Sequence, residues 1–260
     1  MNIDAVLRLL DDPDPAVRET LQARLSADRG LLDAVWQAAV ARDEPIDDEL
    51  TRLVLVADAE EIVDAFAAVE DLEGGVWVLP LLHQPRRDWR SAGSAALDAL
   101  AARLRAQPGT PTGGSLATFL GEECAFSGDT LDYHDPRNAY LPLVLERRCG
   151  LPITLTALWL LVARRLGLNC EAIAAPGHVV GRWRLDDEWV YVDSFAGGER
   201  ITLESLEERV RNLGEPSILP YLSAASDRAL LRRMARNLVH AYAQRGDRVR
   251  ATIAQGLASA

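Results

Sequence analysis

The sequence predicts an α+β protein: a helical N-terminal region, a core made of one buried helix and a small antiparallel sheet, and helices again at the C-terminus. Three observations predict it. From Met1 to about Ala106 apolar residues recur at intervals of three and four, as in Val6, Leu9 and Leu10 and then Val17, Leu21 and Leu25. From Ile153 to Leu166 nearly every face is apolar, which describes a helix buried on all sides. From Cys170 to Phe195 short apolar runs are separated by turn residues, the pattern of strands.

Taken in order, residues 1–107 form the helical region. Asp14 is placed to cap a helix that Pro15 begins. The Asp-Pro punctuation resembles one unit of a HEAT repeat, but no second copy follows at a fixed period, so an ordinary helical pair is the preferred reading. Pro108 to Ser115 combines two prolines with three glycines and disfavours any regular element. It marks the start of a core over 115–222. Phe126 to Asn138 is rich in turn residues, and a long irregular segment in a compact domain is more often functional than not. Pro152 then starts the central helix and Gly167 stops it. Strands follow at Cys170–Ala175, His178–Leu185 and Trp189–Phe195, with an acidic turn at Asp186-Asp187. Helices over 226–260 close the chain.

Composition narrows the function. A chain of 260 residues with 48% hydrophobic content can bury a sizeable core. Its formal charge of -11 opposes general affinity for nucleic acid or anionic membrane. Three cysteines, Cys124, Cys149 and Cys170, cannot build a disulfide framework, and the opening MNIDAVLRLLDD lacks a signal-peptide core. A cytoplasmic protein is expected. Four scattered histidines and no paired-cysteine spacing predict no metal site, and the lack of a phosphate-binding glycine loop predicts no nucleotide cofactor.

The hairpin carries the chemistry. Opposite residues in an antiparallel pair have numbers of constant sum. An odd sum gathers Val179, Trp183, Val190 and Val192 on one face and His178, Arg182, Tyr191 and Asp193 on the other; an even sum mixes valines and charges on both. A sum of 371 sets His178 directly opposite Asp193, and 373 makes them diagonal neighbours. In either register a carboxylate can fix the imidazole tautomer, which is two-thirds of a catalytic triad. The same pair also serves as an ordinary structural hydrogen bond.

Blocks in fixed order resemble the SirB-type bacterial proteins of the transglutaminase-like, papain-fold superfamily. They are Asp135-Pro136-Arg137-Asn138-Ala139-Tyr140-Leu141, Val144 to Leu155 around Glu146-Arg147-Arg148-Cys149-Gly150-Leu151-Pro152, Pro176-Gly177-His178, and Val192-Asp193-Ser194-Phe195-Ala196-Gly197-Gly198. The resemblance implies that His178 and Asp193 occupy the two supporting catalytic positions. It places the nucleophilic cysteine at the start of the central helix, where this chain has Pro152 and Ile153. Ser194 stands where that family has proline. A ligand-binding cleft near His178 is expected to include Asn138, Tyr140 and Glu146.

Two function classes follow. One is a catalytically inactive scaffold that binds a ligand, peptide or protein. The other is a cysteine-dependent hydrolase or acyltransferase in which an irregular turn brings Cys149 to His178 and Asp193. Thr154, in the first helical turn, is a weaker hydroxyl alternative. In the tail, Leu238, Tyr242, Gly246 and Ala251 match one tetratricopeptide-like repeat, which cannot bury its own apolar face and must pack on the body or on a second copy. The seven arginines between Asp227 and Arg250 read as a solvated face in preference to a nucleic-acid site.

Overall fold

The computed structural model describes residues 2–42 and 45–260. Helices α1 (Ile3–Leu9), α2 (Pro15–Ala27), α3 (Arg29–Val40) and α4 (Asp48–Ala57) open the chain. Asn2, Asp14, Asp28 and Asp47 each accept a first-turn backbone N–H, so part of the acidic composition of this region is helix capping. Val6, Leu25, Trp36 and Val54 belong to an apolar core confined to this N-terminal segment.

A second and larger core runs from Leu55 to Leu257. It takes in α5 (Ala59–Ala67), α6 (Leu72–Val78) and α7 (Arg90–Arg105), then crosses the Pro108–Ser115 connection. That connection is less irregular than its composition predicts, because α8 (Gly113–Thr118) starts within it. Thr112 and Ser115 exchange side-chain and backbone hydrogen bonds in a capping box, and this offsets the glycines. A π-helical turn, Phe119–Glu123, extends α8.

Beyond it, β1 (Ser127–Gly128) pairs in parallel with β2 (Cys149–Gly150), and α9 (Leu141–Arg147) lies between them in sequence. Helix α10 (Pro152–Arg165) is buried at every position from Pro152 to Ala163, as its all-round apolar sequence predicts. An antiparallel sheet follows in the order β3 (Cys170–Ile173), β4 (Val180–Leu185), β5 (Glu188–Asp193), β6 (Glu199–Ile201). Gly181 pairs with Val192 and Trp183 with Val190, the 373 register.

Both faces of this sheet are covered. On one, the Trp183 and Trp159 rings lie 6.3 Å apart, which seats the sheet on α10. On the other, Ile173, Val180 and Tyr191 pack against Leu206 and Val210 of α11 (Leu203–Asn212). Its polar members are satisfied locally: Arg182 binds Glu171 at 2.7 Å and stacks on Trp189. The tail forms α12 (Asp227–Gln244) and α13 (Arg248–Ser259), whose Leu230, Leu231, Met234, Leu238, Ile253 and Leu257 enter the larger core. Among the described residues no helix is long and apolar enough to cross a membrane.

Candidate functional site

His178 enters the sheet from a tight turn. Its N–H donates to the Ala175 carbonyl across Pro176-Gly177, and Gly177 has φ of 69°, so proline and glycine occupy the two central positions that such a turn favours. The turn shortens β3 and β4 relative to the predicted strands and swings the imidazole toward the end of β5. There, His178 Nε2 lies 2.8 Å from Asp193 Oδ2. The diagonal arrangement therefore suffices for contact. When Nε2 donates, Nδ1 carries the free lone pair and is the nitrogen left to accept a proton.

Asp193 is 1% exposed and saturated with donors. Oδ2 also accepts from Arg209 Nη1 of α11 at 3.1 Å, and Oδ1 accepts from the backbone N–H groups of Phe195 at 3.0 Å and Ala196 at 3.3 Å. Burial opposes its ionisation most strongly, yet the His178 contact, the Ala196 N–H and the Arg209 charge together hold the carboxyl below the usual carboxylate range. The same side chain thus orients the imidazole and caps the turn that leads into β6. Phe195 then lays its ring edge-on to His178, with centroids 6.4 Å apart, and against Tyr133 at 5.9 Å.

The helix side of the site differs. Thr156 Oγ1 donates to the Val179 carbonyl at 3.2 Å, which fixes β4 beside the start of α10. Leu151, Pro152, Ile153 and Thr154 are all buried there, and the Thr154 hydroxyl has no hydrogen-bond partner. Cys149 is half-buried in β2, and its segment is held in the ladder by bonds from Ser127 N–H to Arg148 O and from Asp129 N–H to Gly150 O. It lies in an extended bridge and not in an irregular turn. Among the described residues no hydrogen bond joins its sulfur to His178. Burial raises the Cys124 thiol and pushes Cys170 up to about 12, so neither is an activated nucleophile.

The remaining expected site residues do not converge. Asn138 is fully buried; it donates to the Asp132 carbonyl at 2.8 Å and accepts from Arg147 at 2.9 Å. Tyr140 is fully buried, its hydroxyl 2.7 Å from that of Tyr242. Glu146 is exposed on α9. These blocks hold the irregular segment and the tail in place. A cavity of about 160 Å³ opens beyond Phe195, lined by Tyr133, His134, Leu151 and Asn237 among others. A larger one, about 840 Å³, lies elsewhere, against Trp36, His83, Arg87 and Tyr242.

Sequence reasoning missed three neighbours of the dyad. Arg209 sits three residues after the buried Leu206 on an amphipathic helix, a pattern that places it near the sheet without naming its partner. Phe195 stands in the Val192–Gly198 block, which names no role for it, and Arg233 carries no motif. Arg233 reaches the His178 carbonyl from α12, at 3.4 Å.

Comparison with known proteins agrees with this layout. The pattern of the transglutaminase-like superfamily matches residues 91–236, more than half of the chain. A UPF0162 protein of Xylella fastidiosa is 40% identical over 131 residues, which are 48% of this chain and 47% of that protein. A UPF0162 protein of Pseudomonas aeruginosa is 34% identical over 114 residues, 43% of this chain and 42% of the relative. F-box only protein 21 of mouse is 30% identical over 128 residues, 46% of this chain and 20% of that protein. The matched stretch thus spans at most about half the length of these relatives. No solved structure matches. With His178 and Asp193 joined at the sheet beside a buried central helix, within the matched region, the chain belongs to the transglutaminase-like superfamily.

Proposed function

We propose that this is a SirB-type member of the superfamily that has lost thiol chemistry and serves in the cytoplasm as a peptide- or protein-binding scaffold. The observation that carries the proposal is the start of α10. Proline, isoleucine and a buried threonine stand where an activated thiol would have to be, while the supporting dyad is fully formed. A positioned His-Asp pair without a nucleophile retains orientation and charge but has no covalent route. The match to part of an F-box only protein also hints at interaction with other proteins. Helices α12 and α13 serve as one tetratricopeptide-like hairpin whose apolar face is taken up by the body.

The test is labelling of the full chain with an electrophilic thiol probe across pH. Cys149 is expected to react no faster than a free thiol of similar exposure, and at the same rate in His178→Ala. Selective labelling of Cys149 at a pH well below the ordinary thiol range, abolished by His178→Ala, would overturn the scaffold reading in favour of a Cys149, His178, Asp193 hydrolase or acyltransferase.

A further inference from the structure

Among the described residues the smaller N-terminal core and the larger core are separate clusters, and the boundary falls inside α4: Leu50 and Val54 belong to the first and Leu55 to the second. Asp58 is the single residue between α4 and α5, and its carbonyl accepts from Ile62 N–H in the first turn of α5. Its carboxylate, on a residue only 4% exposed, is held from both sides of that boundary. Arg29 of α3 donates to Oδ1. Arg86, from the body, donates through Nε to Oδ2 at 2.6 Å and through Nη2 to Oδ1 at 2.9 Å. The remaining Arg86 nitrogen, Nη1, lies 2.8 Å from Asp33 of α3. Arg86 also has φ of 60°, a left-handed backbone that an arginine keeps only where its surroundings impose it.

A second group of polar contacts crosses the same boundary at α13. The buried Arg250 donates to Asp48, at the start of α4, at 2.9 Å. On the body side it donates to Asp247 at 2.6 Å and to the Leu82 carbonyl at 2.8 Å. The cavity of about 840 Å³ reaches both groups, since Arg86 and Arg250 each line it. Trp36, Val40 and Thr51 face it from α3 and α4, and His83, Gln84 and Tyr242 face it from the body. Across such a space the two walls lose the close packing that would otherwise fasten them, so closure leans on the charges at its ends. The Arg29 and Asp48 side chains are 43% and 58% exposed, and water and salt weaken pairs of that kind. Rupture also lets the Arg86 backbone relax, which offsets part of the lost contact.

We propose that α1–α4 form a lid that swings about Asp58 as one body, latched by Arg86 and Arg250, and that this motion opens the cavity between lid and body. The device is independent of the His178-Asp193 site and of whether that site retains any chemistry.

The experiment places spin labels at Ala41→Cys and Ala243→Cys, both exposed and each next in sequence to a residue that lines the cavity. Double electron–electron resonance then reads the width of the cavity mouth in the full chain, its native cysteines replaced by alanine. A minor, longer distance is expected beside the closed one. Its fraction should rise at least tenfold in Arg86→Gln. It should rise several-fold when sodium chloride goes from about 0.01 to about 1 M, which shortens the screening length from about 30 to about 3 Å. Arg24→Gln, which removes an exposed charge from α2, should leave it unchanged. Hydrogen exchange of the α1–α3 amides should stay as slow in Arg86→Gln as in wild type, because a lid that moves as one body keeps its own core. A single distance at every salt concentration and in Arg86→Gln would overturn the proposal. So would a longer distance accompanied by lost amide protection in α1–α3, which is unfolding and not opening. If Arg86→Gln or the labelled chain does not fold, small-angle X-ray scattering of the unlabelled wild type decides. Its radius of gyration should rise with salt, and a constant radius would overturn the lid.

Discussion

The hairpin side and the helix side of the candidate site are organised by opposite physics. At the end of β5, Asp193 accepts from an imidazole, a guanidinium and two backbone N–H groups. At the start of α10, the Pro152 and Ile153 side chains offer no polar atom and the Thr154 hydroxyl has no partner. The contrast teaches how to weigh the two. Asp193 has a structural task, capping the 193–196 turn, that keeps it in place whatever chemistry occurs. A well-formed His-Asp pair is therefore compatible with catalysis and with its absence, and the helix side discriminates.

The largest expected effect comes from removing the hub of the polar side. Asp193→Ala should destabilise the protein by about 3 kcal/mol in urea unfolding, because a half-buried imidazole, a guanidinium and two N–H groups lose their acceptor. Asp193→Asn should lose less, since it still accepts hydrogen bonds. The carboxyl is held below its unfolded value, so its contribution is fully present above about pH 4 and is lost as pH falls through the lowered folded value. The stability gap between wild type and Asp193→Asn should therefore narrow below about pH 4. A gap constant with pH would mean that folding does not shift the ionisation of this carboxyl.

The second effect probes the aromatic wall between the sides. A Cβ on Gly128 would stand 2.3 Å from the Phe195 ring, which itself packs on His178 and Tyr133. Gly128→Ala should cost about 2 kcal/mol by overpacking and shift the His178 ring resonances. Unchanged resonances in a folded variant would show that Phe195 does not set the imidazole's position.

Much of the fold was legible because it depends on patterns that local chemistry fixes. The all-round apolar run announced α10, the odd register followed from segregating valines from charges, and the Asp186-Asp187 pair signalled the turn between β4 and β5. Contacts between elements distant in sequence were not legible. Asn138 and Tyr140 stand in a distinctive block, yet their partners, Arg147 and Tyr242, show that the block braces a loop and a tail helix. Likewise, nothing in the arginine-rich tail distinguishes Arg233, which reaches the His178 carbonyl, from the arginines that stay in solvent.

Installing the missing thiol asks whether residue type alone separates the two sides. Ile153 is 2% exposed, so Ile153→Cys should lose about 1.5 kcal/mol of packing. The helix dipole favours the thiolate there, but apolar burial opposes it and blocks access. Slow alkylation, independent of His178, is expected from rate measurements at neutral pH. Rapid alkylation that disappears on adding His178→Ala would mean that one substitution restores an activated pair, and that the helix side is open in solution.

The smallest effect is a gain. Thr154 is fully buried and its hydroxyl has no partner, an arrangement that costs about 1 to 3 kcal/mol relative to an apolar group of the same shape. Valine keeps the branched outline and has a similar helix propensity, so the backbone preference changes little. Thr154→Val should therefore stabilise the protein by about 1 kcal/mol, read as a higher urea midpoint at unchanged slope. A loss of stability would show that the hydroxyl finds a partner in solution.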